Sequence, residues 1–163
     1  MEQRLYIPFL GALRLLQSAD KRGYLPPETI VAESIKNALL KDRELEKVWG
    51  REFYFVNDWA CISPEVDRMI ADGLRSGIIW FPQIDWYLRP GYNYLISHRG
   101  AGHLLRESEA RTEDLRKLAL ATHKEFLPTI EEHLEFFKGR DCQTRDQALT
   151  IRRDLREVCG EAA

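Results

Sequence analysis

Apolar residues recur at steps of three and four along the first segment. Leu5, Phe9, Leu13 and Leu16 fall on one face of a helix. Pro8 places the start of that helix near itself, because a proline deep in a helix removes a backbone bond. Lys21-Arg22-Gly23-Tyr24 interrupts the pattern. Pro26-Pro27-Glu28 predicts the next start, with proline in the first turn and an acid beside the positive end of the dipole. Ile30 or Val31, Ile35, Ala38 and Leu39 form its apolar face, and a charged stretch from Lys41 to Lys47 runs on to Val48-Trp49-Gly50.

In the middle of the chain the period changes. Phe53 and Phe55, with Tyr54 and Val56, are aromatic and β-branched and predict a strand. Ile62-Ser63-Pro64-Glu65 predicts a helix capped by Ser63 with Pro64 in the first helical position. Val66, Met69, Ile70 and Leu74 are its buried face and Gly77 its stop. Ile78-Ile79-Trp80-Phe81 reads as a strand. Residues 82–91 read as a loop. Tyr92, Tyr94 and Ile96, alternating with Asn93, Leu95 and Ser97, read as a second strand antiparallel to the first.

The last third returns to helical spacing. Thr112 caps a helix carrying Leu115, Leu118, Ala119 and Thr122 on one side; Pro128 kinks or restarts it near Phe126-Leu127; Ile130, Leu134 and Phe137 continue the face to Lys138-Gly139-Arg140. Thr144-Arg145-Asp146-Gln147 has the form of a capping box. Behind it Ala148, Ile151, Leu155 and Val158 make a stripe one side chain wide, flanked by Arg145, Arg152, Arg153, Asp154, Arg156 and Glu157. So narrow a stripe fits a helix lying on one neighbour. That neighbour is either the helix over 112–138 of the same chain or the same helix of a second chain. The second reading makes Ala148, Ile151, Leu155 and Val158 dimer contacts and the protein a homodimer.

Composition sharpens this division. Of 17 aromatic residues, 10 lie in 51–110, whereas 111–163 holds 10 basic and 11 acidic residues. The chain therefore divides into a domain over 1–110 and a C-terminal helical extension over 111–163 that packs on it or mediates dimerisation. With 163 residues and a net charge of −2, the chain is one globular domain's length and not a strongly basic nucleic-acid protein. The three cysteines, Cys61, Cys142 and Cys159, are odd in number and widely spaced, which is no disulfide framework and fits a reducing, cytoplasmic setting. The charged N-terminus does not read as a signal peptide, and no apolar run suits a membrane.

The order helix, strand, short serine-initiated helix, strand, loop, strand, helices predicts a mainly α fold with a small β-hairpin wing: a winged helix-turn-helix core plus C-terminal helices. The pattern Val66-x-x-Met69-Ile70-x-x-x-Leu74-x-x-Gly77-Ile78-Ile79, followed by Tyr94-Leu95-Ile96-Ser97-His98-Arg99-Gly100, resembles that of prokaryotic winged helices. PadR-like and MarR-like regulators share it, as do the Panacea-type domains of phage-associated proteins and antitoxins. The Panacea-type resemblance, over about residues 51–105, also takes in the aromatic strand before the serine and the helices after the wing. It implies an antitoxin- or adaptor-like module whose partner is a protein such as a toxin or a phage or host factor. The PadR-like or MarR-like resemblance implies instead a dimeric, DNA-binding transcriptional regulator.

Charge bears on that choice. In a DNA-reading winged helix the outward face of the second helix of the motif enters the major groove, with affinity drawn from Lys and Arg on phosphates. Here the polar positions are Glu65, Asp67, Arg68, Asp72, Arg75 and Ser76, three acids against two bases. Candidate DNA contacts are Arg68, Arg75, Arg89 and Arg99. The wing loop is aromatic, and either packs on the C-terminal helices or meets a partner. Trp80, Phe81, Trp86, Tyr87, Arg89 and Tyr92 are the candidate partner contacts, being of the types that dominate binding hot spots. No acid, base and nucleophile assemble by spacing, and His98, His103, His123 and His133 have no metal-ligand spacing. The sequence thus points to a non-enzymatic binding module without cofactor or metal.

Overall fold

The computed structural model describes residues 3–18, 23–57, 60–80, 94–97, 111–140 and 142–160. In chain order these form α1 (Gln3–Leu15), β1 (Tyr24–Leu25), α2 (Glu28–Lys41), α3 (Arg43–Trp49), β2 (Val56–Asn57), β3 (Cys61–Ile62), α4 (Pro64–Ser76), β4 (Ile79–Trp80), β5 (Tyr94–Ile96), α5 (Thr112–Phe136) and α6 (Gln143–Leu155). A π-type turn at Arg156–Gly160 continues α6. The architecture is mainly α-helical with small antiparallel sheets.

The helices form where the apolar stripes predict them, and the stripes meet in one core. Leu5, Phe9 and Leu13 of α1, Val31 and Ile35 of α2, Val66 and Met69 of α4, and Leu115, Leu118 and Phe126 of α5 all lie in it. The spine is α5, 25 residues and about 37 Å long at 1.5 Å per residue. It runs antiparallel to α2, as a ladder of polar contacts shows. Glu33 meets His133, Ser34 and Asn37 donate to the Thr129 hydroxyl at 3.3 Å, and Lys41 reaches Glu125 at 2.9 Å. At its start α5 holds Trp49. That indole is fully buried, its N–H donates to the Asp114 carbonyl at 3.2 Å, and the Arg111 guanidinium lies 4.2 Å from the ring centroid.

The three-stranded sheet has the order β1-β5-β4, with both pairs antiparallel. Trp80 and Tyr24 lie opposite Leu95 from its two sides. Gly23 is required at the entry to β1, since a Cβ there would fall 2.4 Å from the Ile96 carbonyl oxygen. On β1 the Gln17 amide donates to the Tyr24 carbonyl and accepts its N–H, both at 2.7 Å. A side-chain amide thus occupies hydrogen-bonding groups that a further strand would use. A separate hairpin joins β2 and β3, with Val56 opposite Ile62.

The predicted antiparallel pairing of segments 78–81 and 92–97 is present in β4 and β5, the helix after Ser63 starts at Pro64, and Gly77 ends it at φ +77°. Other expectations are corrected. Pro8 and Pro128 lie inside continuous helices. At Pro128 the lost bond would have been to the Lys124 carbonyl; both residues are exposed, so water can serve that carbonyl. The charged stretch after Lys41 falls within the part of the chain expected to be helical and forms a separate helix there, because the Asp42 side chain accepts from the Glu44 and Leu45 N–H groups and caps α3. The strand expected at Phe53–Phe55 lies further on, at Val56–Asn57, while Phe53 is buried and stacks with Phe55 at 6.0 Å. Thr144 is inside α6 and makes no cap; Cys142 occupies the N-cap. β5 is buried at all three positions, Leu95 included, so both of its faces are covered.

The stripe proposed as a dimer seam is also corrected. Ala148, Ile151, Leu155 and Val158 are 0–5% exposed within the single chain. They belong to the same core cluster as Leu115 and Ile130 of α5. Their burial needs no second chain, so these four side chains are not a free interface.

Candidate interaction surface

Helix α4 is built to hold one face inward and the other out. Val66, Met69, Ile70 and Gly73 are buried. Gly73 has no side chain because Ile79 and Leu10 press against it: a Cβ would lie 2.5 Å from an Ile79 methyl and 3.3 Å from one of Leu10. The start of the helix is fixed by a small network. Glu65 accepts the Ser63 hydroxyl at 3.0 Å and the Tyr54 backbone N–H at 3.1 Å. Partial burial pushes the Glu65 carboxyl up, but these donors and its own backbone N–H outweigh that and hold it below the usual carboxylate range. Ser63 therefore marks the N-cap while its hydroxyl serves Glu65.

The outward face carries Asp67, Arg68, Asp72 and Arg75. Arg75 is ion-paired with Asp72 one turn earlier. Arg68 lies beside the Tyr6 hydroxyl of α1; burial raises that phenol's pKa and the guanidinium opposes the shift. The Asp67 carboxyl is pushed up by partial burial and by Glu28, whose own carboxylate accepts the Tyr94 hydroxyl at 2.8 Å. Both arginines of the helix are thus engaged by the chain itself, and its surface keeps an acidic excess.

Next to the end of α4 stands Trp80. It is 48% exposed on β4, three residues beyond Gly77. Of the other candidate partner contacts, Phe81, Trp86, Tyr87, Arg89 and Tyr92 lie outside the described residues, as does the candidate DNA contact Arg99. Of the candidate partner and DNA contacts the structure therefore places Trp80, Arg68 and Arg75, and all three are exposed, on α4 and β4.

His98 and His103 lie outside the described residues; the candidates for chemistry within them have structural partners. The His133 imidazole is tied to Glu33 across the α2–α5 seam. His123 stands edge-on to Phe126 with ring centroids 5.7 Å apart, and burial lowers its pKa. Cys61 is buried, and burial pushes the Cys159 thiol up to about 12. Among the described residues no group of three or more His, Cys, Asp or Glu could hold a metal ion. None of the described helices is long and apolar enough to cross a membrane.

One surface escaped the sequence reading. Arg145, Arg152 and Arg156 were visible only as flanks of the apolar stripe. With Leu149 they recur at steps of four, three and four, a second face of α6. The structure brings Arg145, Leu149 and Arg152 of that face together with Glu131, Leu134 and Glu135 of α5 and Lys138 just beyond it around a groove of about 320 Å³. No family model, curated protein or solved structure matches the chain.

Proposed function

We propose that this protein is a non-enzymatic binding module on a winged-helix scaffold, acting through protein–protein contact in the manner of an antitoxin or adaptor. The observation that carries the reading is Trp80, a large apolar side chain left half in water on a strand beside an acid-rich helix face. An exposed tryptophan with neighbouring arginine is the composition of an interface anchor. The scaffold reading is supported by the order of the parts. A strand between the first two helices pairs with the last of three strands, and a short helix precedes the other two.

DNA-binding regulation is the second reading, favoured by that same order and by the exposure of Arg68 and Arg75. It is the weaker because Asp72 and Tyr6 already occupy those side chains, and Asp67 would face phosphate.

The test is co-expression with the product of the adjacent gene, followed by isolation of the complex. Trp80→Ala should weaken that complex at least tenfold, while Arg68→Ala and Arg75→Ala leave it intact. Tight, salt-sensitive DNA binding lost in the two arginine variants, with no protein complex, would reverse the order of the readings.

A further inference from the structure

Helix α6 is seated chiefly on one neighbour, α5. Its apolar stripe, Ala148, Ile151, Leu155 and Val158, belongs to the same core cluster as Leu115, Leu118 and Ile130 of α5. At the surface of the seam Arg152 and Arg156 both reach back to Glu131, at 3.5 and 3.3 Å. The two helices therefore run antiparallel, joined by a tight reversal between Phe136 and Gln143. None of these residues belongs to α4 or β4, where Trp80 stands.

That reversal depends on Gly139. The Arg140 N–H donates to the Phe137 carbonyl at 3.0 Å, and between them Gly139 holds φ +76°. Open space surrounds the place where its Cβ would stand, so the demand for glycine is conformational and not steric. A residue with a side chain is disfavoured in that left-handed region by roughly tenfold, and is at ease in the right-handed helical one. No proline follows Pro128 in the chain, so a helix can run on from α5 into α6 once Gly139 leaves its present conformation.

We propose that α6 is an exchangeable arm. When the turn at Gly139 opens, α5 and α6 join into one long helix, and α6 takes on a second copy of the chain the seat it holds on its own. The occupant is a second copy because another α5 offers the same complement: the core around Leu115 and Ile130 for Ile151 and Leu155, and a Glu131 for the two guanidiniums. The exchange is reciprocal, so the dimer closes by two-fold symmetry and keeps every contact of the seam. The closed and exchanged forms then differ in the turn and in concentration. A short connection gives the chain's own α6 an effective concentration on the order of millimolar, so the wild type is a monomer at micromolar concentration.

The experiment refolds the full chain from urea at about 10 μM and at about 1 mM, below and near that effective concentration, and sizes the product by light scattering. The wild type should refold to monomer when dilute and yield dimer when concentrated. Gly139→Ala should yield dimer at a concentration at least tenfold lower, whereas Gly139→Asn, whose side chain tolerates the left-handed region, should stay near the wild type. The position of the arm is read from Glu131→Cys/Arg152→Cys, made together with Cys142→Ser and Cys159→Ser. After oxidation and denaturation, the dimer should carry this disulfide between chains and the monomer within one chain. Three results would overturn the proposal: no dimer from Gly139→Ala at about 1 mM, a dimer whose disulfides lie within each chain, or Gly139→Asn forming dimer as readily as Gly139→Ala.

Discussion

Leu155 tests whether the last helix belongs to the core of its own chain. Its side chain is fully buried, in the core cluster that contains Leu118 and Ile130 of α5. Leu155→Ala removes three carbons, about 2.4 kcal/mol at roughly 0.8 kcal/mol per methylene. The surrounding core relaxes only partly around the lost volume, so a cavity cost is added. Core leucines replaced by alanine lose roughly 2.7–5 kcal/mol, and the expectation here is about 3–4 kcal/mol. For a chain of this size that lowers the melting temperature by about 2–4 °C per kcal/mol. The assay is urea unfolding followed by circular dichroism, with wild type and variant each measured across a wide range of protein concentration. The free energy of unfolding should fall by that amount at an unchanged denaturant slope, and neither midpoint should move with protein concentration. A midpoint that rises with concentration in the wild type and not in the variant would show the stripe seated against a second chain. A loss under about 1 kcal/mol would show that Leu155 is not enclosed.

Three further expectations follow from single contacts. The hydrogen bond from His133 holds the Glu33 carboxyl below its ordinary value of 4.5; burial opposes it, and the charges of His133 and Lys36 assist. A depressed carboxyl stabilises above its unfolded pKa and loses that contribution as pH falls through the folded one, so acid titration of stability should be steeper below about pH 4.5 in the wild type than in Glu33→Gln. Gly77 holds φ +77° with open space where a Cβ would stand, so Gly77→Ala should cost about 1–2 kcal/mol through backbone strain alone, with Gly77→Asn costing less in the same thermal melts. The Cys159 thiol, at about 12, is almost wholly protonated at pH 8, and mass spectrometry should find it alkylated slowly in the native protein and quickly in urea.

What the sequence disclosed and what it hid divide along a physical line. Contacts local in the chain were legible: Pro64 in the first turn and Gly77 at the stop bound α4 because such signals are written in a few neighbouring residues, although the Ser63 hydroxyl bonds Glu65 and does not cap the helix. The β4–β5 pairing was legible through its alternation, although the burial of both faces of β5 blurred it at Leu95. Features made by distant partners were not. β1 is only Tyr24–Leu25, and its bonding depends on Gln17 and Ile96. Pro8 and Pro128 looked like breaks because one lost backbone bond is local, while the burial of Leu5, Phe9, Phe126 and Ile130 that outweighs it is not. The stripe on α6 was correctly drawn, but a stripe does not say whose helix it meets. At the candidate site, the exposure of Trp80, Arg68 and Arg75 and the engagement of both arginines needed coordinates; the leucine-arginine face of α6 did not, since its spacing was present in the sequence.

The seam between α2 and α5 has a consequence for how the protein is made. Its partners lie far apart in the chain: Ser34 and Thr129 are separated by 95 residues, Glu33 and His133 by 100. A growing polypeptide emerges from the ribosome N-terminus first, so α1 and α2 are synthesised long before the helix that covers them. Until α5 emerges, Val31, Ile35 and Leu13 have no lid, and the wait lasts several seconds at roughly 5–20 residues per second. Closing so wide a loop is also a slow step in folding. The nascent chain thus passes through an interval in which its apolar helices are a target for holding chaperones, and a ribosome stalled before codon 112 would display a product unable to complete its core.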